Sequence, residues 1–427
     1  MSNQKNKPKE SWGNRSMSKI DWGIVGGFMI IAFALTAGLI LYTINNQPER
    51  EDVVEGETAV SDTTTAAEEV VIVIPPLAPL PDVSFPLDNP YTPQKAELGM
   101  MLYFDTRFSG DGSLSCNSCH PASDGSWAVG SQVSFGYPGS SHWRNAQSII
   151  NIAYFSKLNW DGGKTSIEKQ NHGAWSGAVA GNVDSGMAEE RLAQIPEYVE
   201  RFQEVFGTQY PLYIDALRAV STFERTIVSQ NVPFDAFLMG DDSAISDEAK
   251  AGYELFTGKA NCLACHNGPL ISDDSFHNIG VPTYAGFTDN AINQITFRYE
   301  QWAKGVTEED YNTATEDMGL YYVTKLHDDI GKFRTPGLRD ACYTAPYMHN
   351  GAFATFDEVV TFYNNGGGSH ENKDPLIQPL NLTVAEQAAL VAFLNSLCGD
   401  KITFEAPDLP AYEPWDMETA VIPGEQQ

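Results

Sequence analysis

Two pentapeptides hold the residues whose spacing speaks most directly of chemistry. Cys116-Asn117-Ser118-Cys119-His120 and Cys262-Leu263-Ala264-Cys265-His266 each place two thiols on one turn, with an imidazole directly after the second. Thiols at that spacing can add to the two vinyl groups of a haem, and the adjoining histidine reaches the iron from the same side. A zinc site made from two Cys-x-x-Cys pairs would be complete with four sulfurs and would leave both histidines superfluous. The sequence therefore implies two covalently bound haem c groups, attached through Cys116, Cys119, Cys262 and Cys265, with His120 and His266 as proximal iron ligands. Cys342 and Cys398 remain, as a disulfide or as buried thiols.

Helices have to present these groups. Thr92 as N-cap and Pro93 at the first position start a helix through Tyr103, and Ser246, Asp247 and Glu248 start another through Phe256. Ala96, Gly99, Leu102 and Tyr103 recur as Ala249, Gly252, Leu255 and Phe256, each set leading into a Cys-x-x-Cys-His. That is a repeat in order more than in residue identity. Thr383 and Glu386 form a capping box for a helix through Leu397, with Gly399 as its stop. Further helical stretches run from Ala188 to Phe206, broken at Pro196, and from Leu212 to Ser229, and no convincing run of alternating strands appears. The expected fold is all-α, with one helical domain over 85–235, a second over 236–400, and a tail over 401–427.

Residues 22–44 are uncharged and mostly apolar. As a helix this run is roughly 35 Å long, enough for a bilayer core of about 30 Å. A cleaved signal peptide normally has a shorter apolar region, so the run is expected to be one transmembrane helix. Lys5, Lys7, Lys9, Arg15 and Lys19 precede it and Glu49, Glu51, Asp52, Glu55 and Glu57 follow, which keeps residues 1–21 cytoplasmic. The soluble part is then expected in the periplasm, held to the inner membrane by a single span. Residues 45–84, acidic and rich in Thr and Pro, read as a tether. Among the 427 residues, 26 Lys and Arg stand against 56 Asp and Glu, a formal charge of −30. Such a chain repels phosphate backbones, so nucleic-acid binding is excluded as a function and a cationic protein partner is easier to accommodate. With 42% hydrophobic residues, a packed core is ensured.

From about Leu87 to Leu397 the sequence resembles the bacterial di-haem cytochrome c peroxidase family, which includes the MauG enzymes. The resemblance rests on Leu98-Gly99 through Tyr103-Phe104-Asp105 with Arg107, Arg144-Asn145-Ala146, Trp160-Asp161-Gly162, Ile195-Pro196-Glu197-Tyr198-Val199, Pro233-Phe234-Asp235, Cys265-His266-Asn267-Gly268, Phe333-Arg334-Thr335-Pro336 with Leu338-Arg339, and Thr344-Ala345-Pro346-Tyr347-Met348-His349-Asn350-Gly351. It implies two cytochrome c-like domains, the N-terminal haem taking hydrogen peroxide and the C-terminal haem relaying electrons. It places Trp160 between the haems, Gln170 in the distal pocket, and Asn145 with the carbonyls of Thr344 and Pro346 at a calcium site. The sequence departs from the family in three places. The distal glutamate is missing from the segment before Met187, where Asp184 is the nearest carboxylate and His172 another candidate. Tyr137 replaces the removable distal histidine, with His142 close by. Tyr363 stands where ordinary members place a methionine ligand, as it does in MauG relatives, with Met348 and Met318 as rival ligands. A phenolate there favours ferric iron and lowers the potential of that haem.

The function so implied is a membrane-anchored di-haem peroxidase that draws electrons from a small cytochrome c or cupredoxin, and a homodimer is a further expectation. The alternatives are a MauG-like oxidase acting on a partner protein, and an electron-transfer or haem-sensing protein without peroxide turnover.

Overall fold

The computed structural model describes residues 74–412, apart from Pro138 and Ala285. The expected membrane span over 22–44 lies outside these residues, and no helix among the described ones is long and apolar enough to cross a membrane.

The fold is predominantly helical. Among the described residues, eleven helices of six residues or more run in the order α1 (Pro93–Phe104), α2 (Ile167–Ser176), α3 (Ser185–Ala193), α4 (Pro196–Phe206), α5 (Tyr213–Glu224), α6 (Pro233–Leu238), α7 (Asp247–Thr257), α8 (Ala291–Ala303), α9 (Glu308–Thr313), α10 (Phe356–Asn364) and α11 (Val384–Ser396). The caps act as their sequences require. Thr92 and Ser246 accept from the backbone of Lys95 and Ala249, and Thr383 and Glu386 close a reciprocal capping box. Two antiparallel pairs of two-residue strands, β1 (Phe135–Gly136) with β2 (Ser140–Ser141) and β3 (Phe276–His277) with β4 (Phe333–Arg334), pin loops together but build no layer.

Two helix pairs organise the described residues. α1 crosses α5 and α7 crosses α11, and each crossing is made at the repeated glycine. A side chain on Gly99 would strike the carbonyl of Ala219, and one on Gly252 the carbonyl of Ala389, both far inside contact distance. The repeat in sequence is thus a repeat in packing, because only glycine lets these backbones approach so closely. Around the first pair lies a core that includes Leu98, Leu102, Tyr103, Trp127, Leu192, Tyr198, Phe202 and Phe223. The second pair is enclosed by Phe234, Phe256, Ile271, Leu390, Phe393 and Leu397. A third cluster joins Trp143 to Phe287, Phe297, Val306, Met318 and Tyr322.

The segments expected as a tether and a tail are fixed where they are described. Leu77 is buried in the second core, Arg339 donates to the carbonyl of Ala78 at 2.8 Å, and Tyr154 donates to that of Pro81 at 2.7 Å. The prolines here form no helix, which leaves these carbonyls free to accept. At the other end, Trp127 donates through Nε1 to Ile402 O at 2.8 Å, Phe404 packs on Trp127, and Arg107 donates to Pro410 O at 2.7 Å. The stretch at Leu77 therefore grips the second core, and the stretch at Ile402 and Phe404 grips the first. Cys342 and Cys398 form a disulfide, 56 residues apart in sequence, that ties the end of α11 to the Ala341–Tyr343 turn.

Candidate active site

Cys116 and Cys119 lie on one helical turn, capped at Ser115 and closed by the bond from the backbone of His120 to Cys116 O. The His120 ring is fixed through Nδ1, which lies 3.1 Å from Trp127 O, and Tyr103 donates its hydroxyl to the backbone carbonyl of His120. The second motif repeats the device, with His266 Nδ1 3.2 Å from Ile271 O. A carbonyl is an acceptor only, so each Nδ1 carries the proton and each Nε2 is left as the free ligand atom. Burial lowers the pKa of both imidazoles and keeps them neutral, the form that binds a metal.

One large cavity is lined by Cys262, Cys265, His266 and Tyr363, with apolar walls from Phe256, Leu270, Phe333, Val360, Leu390 and Leu394. Its polar fittings are unusual. The Nε and Nη1 atoms of Arg334, the hydroxyl of Tyr284 and Oδ1 of Asn350 are buried there with no hydrogen-bond partner among the described residues. Burial pushes the Arg334 pKa down to about 10, with Asp274 as its nearest counter-charge at 3.7 Å. Leaving such groups unpaired is costly, and a flat apolar molecule with anionic edges would satisfy both the walls and the guanidinium. A haem fits that description. Tyr363 makes no hydrogen bond through its hydroxyl among the described residues, and burial together with the nearby Cys262 and Cys265 sulfurs pushes its pKa up. A phenolate there would need a cation beside it. Of the rival ligands, Met348 lines the cavity, whereas Met318 is spent in the third apolar cluster.

The same cavity brings in Trp160, Asn145, Thr344, Pro346 and His349. Trp160 donates from Nε1 to Asn145 O at 3.0 Å, and the Asn145 amide donates to His349 O at 2.8 Å. The His349 ring stacks on Phe333 with centroids 3.6 Å apart, and meets Trp160 edge-on at 6.5 Å. Asn145 turns its side-chain nitrogen to Ser131 O at 3.0 Å, and Oδ1 has no donor among the described residues. Beside them Arg144 binds Asp317 at 2.5 Å and Asp161 at 2.8 Å. Burial works against this guanidinium, but the two carboxylates keep it charged, and both of them are held below the ordinary carboxylate range in return.

The expected distal residues fare differently at the N-terminal site. Gln170 sits on α2 with Oε1 buried and without a hydrogen-bond partner among the described residues. Asp184 is exposed and serves as the N-cap of α3, accepting from Met187 N at 3.1 Å, so its carboxylate is committed to the helix rather than to a proton-transfer pocket. Tyr137 belongs to the turn between β1 and β2, which its backbone ties to Ala180, while His142 lies 2.9 Å from Val179 O through Nε2. His172 pairs with the Tyr213 hydroxyl at 3.3 Å.

Sequence reasoning missed a buried carboxyl whose charge acts on Cys116. Glu224, at the end of α5, is 4% exposed and accepts from Asn171 Nδ2 at 2.7 Å. Burial pushes its pKa up to about 8, against the pull of Asn171 and Arg225. The signal was a charged residue on a helix whose other positions are mostly apolar. His277 was missed as well. It is clamped between Asp273 at 2.9 Å and Asp374 at 2.6 Å, and the bond to Asp273, with Cys265 next, pushes its pKa up to about 11. Cys265, Asp273 and His277 are together a metal-binding set by residue type, but the sulfur belongs to the second haem-attachment motif.

Residues 93–243 match the family model described as "Di-haem cytochrome c peroxidase". The chain is 50% identical over 344 residues to the cytochrome-c peroxidase IdrP1 of Pseudomonas sp. (strain SCT), covering 80% of this chain and 90% of that relative. The chain belongs to the di-haem cytochrome c peroxidase family. This is a family of oxidoreductases with two c-type haems, as the two motifs require. The MauG protein of Methylorubrum extorquens is 34% identical over 331 residues, covering 77% of this chain and 85% of its own. The crystal structure of a MauG-like protein associated with microbial copper homeostasis superimposes with a TM-score of 0.64 at 30% identity, covering 76% of this chain and 94% of that one.

Proposed function

We propose that the protein reduces hydrogen peroxide at its N-terminal haem with two electrons from a small cytochrome c or cupredoxin, working in the periplasm from an inner-membrane anchor over residues 22–44. What carries this reading is the asymmetry of the two sites. At the first, Gln170 presents a buried unpartnered oxygen. The cavity of the second contains the free phenol of Tyr363 as well as His266. The iron of a bound haem supplies a site for peroxide and a store for oxidising equivalents. The chain does the rest. His120 and His266 each offer Nε2 from a ring fixed through Nδ1, and Gln170 Oε1 accepts from the peroxide hydroxyl and orients it. Glu224, neutral at pH 7, holds a proton beside the Cys116 turn in place of the distal glutamate that is missing.

Trp160 suits charge exchange between the sites, because its indole is electron-rich and its N–H is held by a carbonyl too weakly basic to take the proton. Asn145 Oδ1 with the carbonyls of Thr344 and Pro346 suits a calcium ion, which prefers oxygen ligands and would tie the Trp160 loop to the His349 loop.

Tyr363 favours a second reading, a MauG-like oxidase that acts on a Trp or Tyr of a partner protein. Steady-state turnover of the two-haem protein with peroxide and a reduced small cytochrome separates the two. The peroxidase reading expects oxidation of the donor well above the rate of free haem. A rate no higher than free haem would overturn it.

A further inference from the structure

Helix α2 carries more chemistry than Gln170. His172 and Trp175 lie three residues apart on it and so share a face. Tyr213, the first residue of α5, meets both: its ring centroid is 5.8 Å from that of Trp175, and its hydroxyl lies 3.3 Å from His172 Nδ1. At the inner end Trp175 is buried and stacked on Phe108 at 4.9 Å, and its indole acts as a side-chain donor to the Cys116 sulfur. At the outer end His172 is exposed. A sulfur that attaches the first haem, an indole, a phenol and an imidazole thus form a series that ends in solvent.

What sets Tyr213 apart is the group that faces its hydroxyl. Three tyrosines are buried in the first core among the described residues. Tyr103 donates to the carbonyl of His120, and a carbonyl is too weakly basic to take a proton. Tyr198 donates to Asp105, but that carboxylate is buried and bound by Arg107. The same guanidinium lies 5.7 Å from the Tyr198 ring, where its charge opposes loss of an electron. Of the three, Tyr213 faces a base that water reaches. Burial pushes its pKa up to about 12, so it is a neutral phenol at neutral pH. A neutral phenol gives up an electron readily when its proton has somewhere to go, and His172 Nδ1, unprotonated, accepts from the hydroxyl and can take that proton. The need of a buried hydroxyl for a partner explains the His172 contact, but not the indole set between the phenol and the Cys116 sulfur.

The chain beside Tyr213 is apolar and open. Tyr210 is 63% exposed, Leu212 39% and Ile214 48%. Restoring an oxidised Tyr213 takes one electron and one proton. A phenol supplies both and suits an apolar surface, whereas a small cytochrome supplies the electron alone. We propose that Trp175, Tyr213 and His172 form a second oxidation site, through which the protein takes electrons from small phenols. The proposal rests on the peroxidase reading, since hydrogen peroxide is its oxidant. In each cycle Tyr213 gives one electron, by way of Trp175, to the haem carried on the Cys116 turn, and gives its hydroxyl proton to His172. A phenol then gives one electron to Tyr213 and its proton to water, and the proton on His172 returns to the tyrosine oxygen. Two cycles supply both electrons needed to break the O–O bond. Two protons are taken up from water in exchange for those the phenols released, and the products are two waters and two phenoxyl radicals.

Two experiments on the full-length two-haem protein test it. In the first, the protein is mixed with one equivalent of hydrogen peroxide without a donor, frozen, and measured by electron paramagnetic resonance. It should show an organic radical that narrows when the protein is made with ring-deuterated tyrosine. Tyr213→Phe should remove this radical, and His172→Phe should lower its yield severalfold. In the second, guaiacol serves as the phenol. Tyr213→Phe and Trp175→Phe should each slow its peroxide-driven oxidation at least tenfold, while the haem absorption spectra and the oxidation of a reduced small cytochrome stay unchanged. A radical or a guaiacol rate indifferent to Tyr213→Phe would overturn the proposal, and a guaiacol rate indifferent to Trp175→Phe would do the same. Guaiacol oxidation no faster than with free haem would also overturn it, and if the reduced cytochrome is still oxidised, the peroxidase reading stands without it. Failure with both donors would overturn the peroxidase reading and the proposal together.

Discussion

Glu224→Gln should make the protein more stable at neutral and alkaline pH, an uncommon outcome for a buried polar site. In the folded protein burial raises this carboxyl from 4.5 to about 8. The folded state therefore keeps a proton that the unfolded chain releases between those two values. Stability is lost as pH rises through that window, and the loss is complete above pH 8. At about 1.4 kcal/mol per pH unit the penalty is roughly 3 kcal/mol at pH 7 and roughly 5 above pH 8, before any relaxation of the surroundings reduces it. Glutamine retains an oxygen to accept from Asn171 and has no proton to lose. Guanidinium unfolding midpoints of the two-haem protein, followed by far-ultraviolet circular dichroism from pH 4 to pH 9, measure the effect. The two proteins should coincide near pH 4 and diverge steadily above pH 5, with the variant ahead by a few kcal/mol at pH 8.5. A difference that does not change with pH would show that the Glu224 carboxyl is not held neutral by its surroundings, and would remove it as a proton store beside the first site.

Gly252→Ala should cost about 1–3 kcal/mol or more through forced separation of α7 from the Ala389 carbonyl, and Gly99→Ala should do the same to α1 against Ala219; thermal unfolding of each variant checks this, and unchanged midpoints would mean that the crossings are looser than they look. Trp160→Phe should leave both haem absorption spectra nearly intact while slowing electron exchange between the haems, measured by stopped-flow after partial reduction; an unchanged rate would mean that another route carries the charge. Tyr363→Met should raise the potential of the C-terminal haem by on the order of 100 mV in a redox titration, given the range that axial ligands span; indifference would make Tyr363 a wall of the cavity and nothing more.

The parts of the fold that local chemistry decides were legible in the sequence. The haem-attachment turns, the caps at Thr92, Ser246 and Thr383 and the break at Pro196 all act within a few residues of themselves, and the repeated glycines showed as a repeat although the backbones they admit, at Ala219 and Ala389, lie far along the chain. The helix expected from Leu212 to Ser229 stops at Glu224, since beyond it the carbonyl of Ile227 is taken by Asn151 N. What escaped depended on distant partners. Glu224 beside Arg225 reads as an exposed charged pair until α2 brings Asn171 against it. Arg334 was visible as part of a motif, but its unpaired nitrogens appear only when the cavity closes around them. Asp184 offered itself as an acid because the family places a carboxylate near that position, while its own neighbourhood asked for a helix cap. The third core was hidden because Trp143 and Phe297 are 154 residues apart in the chain.

Electron paramagnetic resonance of the resting, fully ferric protein tests the asymmetry of the two sites most directly. With His120 as the single protein ligand on one iron and His266 with Tyr363 on the other, the spectrum should contain a high-spin signal and a low-spin signal in equal amounts, and Tyr363→Met should alter only the second. Two low-spin signals of equal weight would mean that a protein side chain already occupies the N-terminal iron, and the place assigned to hydrogen peroxide beside Gln170 would be filled.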